Sequence, residues 1–169
     1  VLPTLLLPCV PAAQMPSAVR SGAPAELGID GPPPPTAPEA INRDDQGNAT
    51  VRAFRVSEPI QVDGRLDEAI YQGPSISGFR QVLPGDGDPA TEKTEAWVSF
   101  DDANIYVGAR MWDSEPESEW VANELRRDVR QLMNNDNFGV AFDTYYDRRN
   151  GVFFYVNPLG GRSDIQYMN

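Results

Sequence analysis

Flat aromatic side chains and planar polar side chains occur together near the ends of predicted strands in this chain. A ring face packs well against the C–H surface of a pyranose, and surrounding polar groups hydrogen-bond to the sugar hydroxyls. The candidates are Trp112, Trp120, Tyr145 and Tyr146 as ring faces, and Arg127, Asp136 and Asn157 as hydrogen-bonding groups. The competing interpretation is packing, because a strand tryptophan more commonly belongs to a core or an edge, and we assign Trp97 to that class.

Composition excludes several kinds of chemistry. The 169 residues include no histidine and one cysteine, Cys9, which excludes histidine-activated nucleophiles, histidine metal ligands and an intrachain disulfide. Lys and Arg number 14 against 25 Asp and Glu, which gives a formal net charge of −11. Because this charge repels phosphate, nucleic acid and anionic lipid are not expected partners.

The first 50 residues differ in composition from the rest. Residues 1–13 resemble the end of a signal peptide, an apolar run followed by small residues, and this predicts export. Residues 14–50 include four consecutive prolines at 32–35 and few large apolar residues, so we predict a disordered, proline-rich tether. The folded domain is expected over residues 51–169.

Alternation of apolar and polar residues predicts strands within that domain. The predicted strands are 51–56, Thr94–Phe100, 104–112, Phe138–Phe142 and 152–156. The second and third form a hairpin around residues 101–103, and the last two flank the polar turn 143–150. One or two helical turns are expected at 66–72. Short strands, turn signals and little helix indicate an all-β fold, an antiparallel β-sandwich.

Residues 118–133 fit two structures. Apolar residues at Val121, Leu125 and Val129 have helical spacing, whereas residues 120–127 also alternate as a strand does. Periodicity alone favours the helix, and the resemblance described next favours a strand to about Arg127. We predict the strand.

Several short motifs, in order, resemble a known family. Residues 62–69 (VDGRLDEA), the hairpin 96–110 (AWVSFDDANIYVGAR) and Asp113 are similar to family 9 carbohydrate-binding modules. Residues 126–128, 142–149 and 156–160, with Asp136, resemble the subgroup that precedes the β-barrel of bacterial outer-membrane proteins. The resemblance covers roughly Ile60 to the end of the chain.

This resemblance carries its own expectations. It implies a jelly-roll-like sandwich, binding of a poly- or oligosaccharide, often calcium, and a ring at Trp112 that clamps a terminal sugar. It also implies a longer exported parent protein with a C-terminal membrane barrel, located in the periplasm, outer membrane or outside of a bacterium. The sandwich is therefore expected to be truncated, because the sequence stops in a predicted strand at 167–169.

The acidic residues at strand ends have two interpretations, backbone-bonding turn residues or calcium ligands. They are Asp63, Asp101, Asp102, Asp113, Asp136, Asp143 and Asp147. We take most of them as turn residues and keep calcium as an expectation from the resemblance.

Three functions are compatible with these features. The preferred one is a noncatalytic carbohydrate-binding module that targets a larger exported protein to glycan. The second is a structural or interaction domain of an outer-membrane protein without sugar binding. The third is part of a glycoside hydrolase acting in carbohydrate catabolism, which needs two carboxyl groups at a defined separation. No local motif singles out such a pair, so any hydrolase activity is expected elsewhere in the parent protein.

Overall fold

The computed structural model describes residues 31–168. Eight strands form three sheets within that range, and the helical segments there are short 3₁₀ turns at Ala69–Gln72, Glu117–Glu119 and Arg130–Asn134. The strands are β1 (Ile41–Arg43), β2 (Ala49–Val51), β3 (Phe54–Arg55), β4 (Thr94–Phe100), β5 (Ile105–Met111), β6 (Phe138–Phe142), β7 (Gly151–Val156) and β8 (Arg162–Tyr167). The all-β prediction is confirmed.

Three separate strand orders define the topology. β1 pairs with β2, β4 lies between β3 and β5, and β7 lies between β6 and β8. Every pairing is antiparallel except that of β3 with β4, which is parallel. The jelly-roll-like sandwich stays a prediction, as does its truncation.

The predicted boundary at residue 51 lies too far along the chain. Residues 31–50 were expected to be a disordered tether, but β1 and β2 pair there, and Ala40 is 3% exposed in a core cluster with Ile76 and Ala96. The prolines contribute acceptors, since Asn42 Nδ2 donates to the carbonyl of Pro33 at 2.9 Å. The predictions for residues 1–13 and 14–30 fall outside the described residues.

The central hairpin is confirmed close to its predicted bounds. β4 and β5 pair along their full length around a turn in which Asp101 Oδ1 accepts the backbone N–H groups of Ala103 and Asn104 at 2.7 Å each. Trp97 on β4 is 3% exposed, and its ring meets Tyr71 edge-on with centroids 5.6 Å apart. Tyr71 lies in the 3₁₀ turn Ala69–Gln72, within the range predicted to be helical. Trp97 is therefore a core residue, as predicted.

Residues 120–127 are neither the predicted strand nor the alternative helix. The segment runs between the 3₁₀ turns Glu117–Glu119 and Arg130–Asn134 without joining any sheet. The backbone N–H groups of Val121, Asn123, Glu124 and Arg126 donate to side chains and not to a neighbouring strand, so alternation alone predicted the wrong structure.

The sheet β6–β7–β8 has two different faces because successive side chains on a strand point in opposite directions. On one face Phe138, Phe142 and Phe154 lie opposite Ile105 of β5, across a cavity of about 580 Å³. Phe138 also contacts the core cluster that contains Ala96. The other face carries a second set of aromatic rings, and these form the site described below.

Candidate functional site

Trp112 comes directly after β5 and is 39% exposed. Its ring is already covered by cations, because Lys93 Nζ lies 4.3 Å and Arg110 Cζ 5.9 Å from the ring centroid. Such contacts hold a ring in place and cover part of its surface. The role of Trp112 as a sugar contact stays a prediction.

Trp120 and Asp136 are neighbours in space. Asp136 Oδ2 accepts the backbone N–H of Val121 at 2.8 Å, and the Asp136 N–H donates to the Val121 carbonyl at 2.7 Å. Asp136 therefore fixes the backbone next to Trp120. The indole N–H of Trp120 is buried and has no hydrogen-bond partner among the described residues.

Arg127 ties the irregular segment to β8. Its guanidinium pairs with Asp128 at 3.0 Å and with Asp164 of β8. Asp128 Oδ1 also accepts the backbone N–H of Asp164 at 3.1 Å. That hydrogen bond is the main cause of the lowered pKa of the Asp128 carboxyl, and the Arg127 guanidinium adds to it. Both donors stabilise the charged form of the carboxyl.

Asn157 is a structural residue, which corrects its assignment as a sugar contact. Its side-chain amide N–H groups donate to the Glu124 carbonyl at 2.7 Å and to Asn135 Oδ1 at 3.0 Å. Its Oδ1 accepts the backbone N–H groups of Leu159 at 3.1 Å and Gly161 at 2.7 Å. With 4% of its surface exposed, Asn157 has no group available for a ligand.

Asn135 and Glu124 complete this buried cluster, which we call the asparagine clamp (Glu124, Asn135, Asn157). Asn135 Oδ1 accepts the N–H groups of Asn123 and Glu124 at 3.0 Å each. The Glu124 carboxylate accepts the backbone N–H of Arg126 and pairs with its guanidinium at 2.7 Å. The Arg126 side chain is the main cause that lowers the pKa of Glu124 to about 2. The clamp explains how residues 120–127 keep an irregular backbone satisfied.

Tyr145 lies in the turn between β6 and β7 and is 76% exposed. Two carboxylates brace this turn from inside. Asp143 accepts the backbone N–H groups of Asp147 and Arg148, and Asp147 accepts those of Arg149 and Asn150, all at 2.7–3.1 Å. Tyr146 has a positive φ of 55° in the same turn. The turn therefore exposes the Tyr145 side chain to solvent.

A group of aromatic rings that the sequence analysis did not select lies on the second face of β6–β7–β8. Phe153 and Tyr155 have nearly parallel rings, 8° apart with centroids separated by 6.5 Å, and Tyr167 meets Phe153 at 66° and 6.0 Å. Tyr167 is 62% exposed and the other two are half-buried. We call these three residues the aromatic platform.

Small residues on β6 make room for the platform. Gly139 pairs with Tyr155 across the sheet, and a Cβ at Gly139 would lie 2.8 Å from the Tyr155 ring. Ala141 pairs with Phe153 in the same way. The rings therefore lie over strand backbone that bears no large side chain. The signal for this in sequence was the alternation of Gly139 and Ala141 with large apolar residues, which marks one face of β6 as open.

Two cavities adjoin the platform. The first, of about 480 Å³ beside the β6–β7 turn, is lined by Phe153, Tyr167, Asn150, Arg149 and Asp143 among others. The second, of about 360 Å³, is lined by all three platform rings together with Met133, Arg130, Asp128 and Asp164. Rings flanked by amide, guanidinium and carboxylate groups form the combination that saccharide binding requires.

Neither a clustered metal site nor a spanning helix occurs in residues 31–168. No group of three or more His, Cys, Asp or Glu side chains there is placed to hold a metal ion, and the expected calcium stays a prediction. Within the same residues, no helix is long and apolar enough to cross a membrane.

Comparison with known proteins adds no relative to this description. No protein-family model, no curated protein and no solved structure matches the chain.

Proposed function

We propose that this chain is a noncatalytic carbohydrate-binding module that targets a larger exported protein to glycan. The observation that carries the proposal is the aromatic platform, three rings on one sheet face with two adjoining cavities. Sugars bind to such surfaces through ring faces, and planar polar groups nearby select the hydroxyl pattern. The platform replaces Trp112 as the main contact, because the Trp112 ring is already covered by Lys93.

The test is isothermal titration calorimetry of the full chain with a panel of soluble oligosaccharides, in calcium and in chelator. Tyr167→Ala is the informative variant, because Tyr167 is 62% exposed and its removal leaves the core intact. We expect its affinity for the bound sugar to fall about tenfold, equivalent to roughly 1.4 kcal/mol. Tyr145→Ala is the comparison, because Tyr145 is 76% exposed on the turn and not on the platform, and a loss as large as that of Tyr167→Ala would favour the turn ring predicted from sequence.

Two results count against the proposal. Unchanged affinity in Tyr167→Ala, with a sugar that binds the parent chain, removes the platform from the binding site. No binding to any sugar by the folded chain removes the function itself.

An interaction domain is the second candidate, and one observation favours it. Ile105, Phe154 and Val156 are 64%, 47% and 43% exposed and line the 580 Å³ cavity between β5 and the sheet β6–β7–β8. Apolar surface of this kind is typical of contact with another protein segment. Sugar-independent association with a partner would favour this candidate over the first.

The hydrolase interpretation gains no support from the carboxyl groups. A general acid in glycoside hydrolysis has a raised pKa. Among residues 31–168, each carboxyl pKa that the structure shifts is lowered, and the pKa values of Asp101 and Glu124 fall to about 2. The hydroxyl of Tyr106 is the main cause at Asp101, as the Arg126 side chain is at Glu124.

A further inference from the structure

Two arginines line the cavities that adjoin the aromatic platform. Arg149 lines the cavity beside Phe153 and Tyr167, and Arg130 lines the cavity beside Tyr155. No ion pair within residues 31–168 engages either guanidinium.

The carboxylates nearest to Arg149 in sequence are occupied by the backbone. Asp143 accepts two N–H groups of the β6–β7 turn, and Asp147 accepts the backbone N–H groups of Arg149 and Asn150. Asp147 Oδ2 also accepts the Asn150 side-chain amide. These carboxylates stabilise the turn, and neither forms an ion pair with the Arg149 guanidinium.

The carboxylates around Arg130 are also engaged. Asp128 and Asp164 line the same cavity, and both are paired with Arg127. The Asp128 carboxylate further accepts the backbone N–H of Asp164. Both cavities therefore combine platform rings with a guanidinium that forms no ion pair with a carboxylate of residues 31–168.

We propose that the platform selects acidic saccharides, chains whose sugars carry carboxylate groups. A guanidinium presents parallel N–H donors that match a carboxylate in a two-point hydrogen bond, while the rings hold the C–H face of the sugar. This proposal rests on the proposed carbohydrate-binding function and names its ligand class.

The experiment compares ligands that differ only in charge. Calorimetry of the full chain uses oligogalacturonate and its methyl ester, and then hyaluronan oligosaccharides and their methyl esters. We expect the acid form of at least one pair to bind ten times more tightly than its ester. Arg149→Gln and Arg130→Gln should each bring the affinity for the acid form down toward that of the ester, and Arg149→Lys should retain part of the preference.

A matched control separates charge from position. Arg55→Gln makes the same charge change at an arginine of β3, which belongs to another sheet, where Arg55 pairs with Asp102. This variant should leave the preference for the acid form unchanged. Equal affinity for acid and ester forms overturns this proposal and leaves the carbohydrate-binding function standing. Absence of binding to these pairs and to every neutral sugar overturns both. A preference that Arg55→Gln removes as fully as Arg149→Gln also overturns the proposal, because general charge then explains it.

Discussion

The substitution Asn157→Ala tests whether the asparagine clamp is structural or part of a ligand site. The change removes two donors and one acceptor that make four hydrogen bonds inside the protein. Two of the groups left behind are buried, the Glu124 carbonyl and the Gly161 N–H. Leu159 is exposed, so water replaces the bond to its N–H.

The expected loss follows from those two groups. A buried polar group left without a partner costs about 1–3 kcal/mol, so two such groups should lower the free energy of unfolding by roughly 2–6 kcal/mol. Small domains are stable by only about 5–15 kcal/mol, so this variant should unfold at a much lower urea concentration. The cost is large because a Cβ at Gly161 would lie 2.5 Å from the Glu124 carbonyl, which leaves little room for a replacing water.

Urea unfolding followed by tryptophan fluorescence, to which buried Trp97 contributes, measures the loss. Asn48→Ala is the control, since Asn48 is exposed and its side chain bonds only Asp44 among residues 31–168. It should change stability by about 0.5 kcal/mol or less. The structural assignment is refuted if Asn157→Ala keeps the parent stability and loses sugar affinity. That result would return Asn157 to the list of ligand contacts.

Three further results are expected. Folding lowers the pKa of Glu124 from 4.5 to about 2, so its charged form stabilises the protein above pH 4.5. This contribution disappears as the pH falls toward 2. The free energy of unfolding of Glu124→Gln should therefore change less with pH between these values in acid titrations. Gly108→Ala should lower the free energy of unfolding by about 1–3 kcal/mol in urea, because its Cβ would lie 2.6 Å from the buried Tyr71 ring. Trp112→Ala should leave sugar affinity within twofold in calorimetry, whereas a large loss would restore the clamp role inferred from the family resemblance.

The strands of this fold were predictable where neighbouring residues alternate strongly. β4, β5, β6 and β7 have the bounds expected to within a residue or two, because one face of each strand is apolar and polar turns separate them. Residues 31–50 were misjudged because proline content indicates disorder only when no partner is available. Here Asn42 and neighbouring side chains bond the proline carbonyls, and Ala40 enters the core.

The candidate site was much harder to predict than the strands. Phe153 and Tyr155 look like core residues in a sequence, and only the pairing with Gly139 and Ala141 places them on an open face. Asn157 looked like a ligand contact because asparagine is polar and follows a strand. Its burial depends on Glu124, 33 positions earlier, and on Asn135, 22 positions earlier, which no local pattern reveals.

The net charge of −11 predicted repulsion of anions, yet it does not determine the local field at the platform. The carboxylate oxygens of turn residues such as Asp101, Asp143 and Asp147 accept hydrogen bonds from backbone N–H groups, and these bonds stabilise tight turns. Charges farther away than about 8 Å are screened at physiological ionic strength, so the groups within that distance dominate binding. In both cavities beside the platform those groups include a guanidinium that makes no ion pair within residues 31–168. The proposed preference for acidic saccharides is therefore compatible with a negative net charge, because Asp143 and Asp147 stabilise a turn while Arg130 and Arg149 line the cavities.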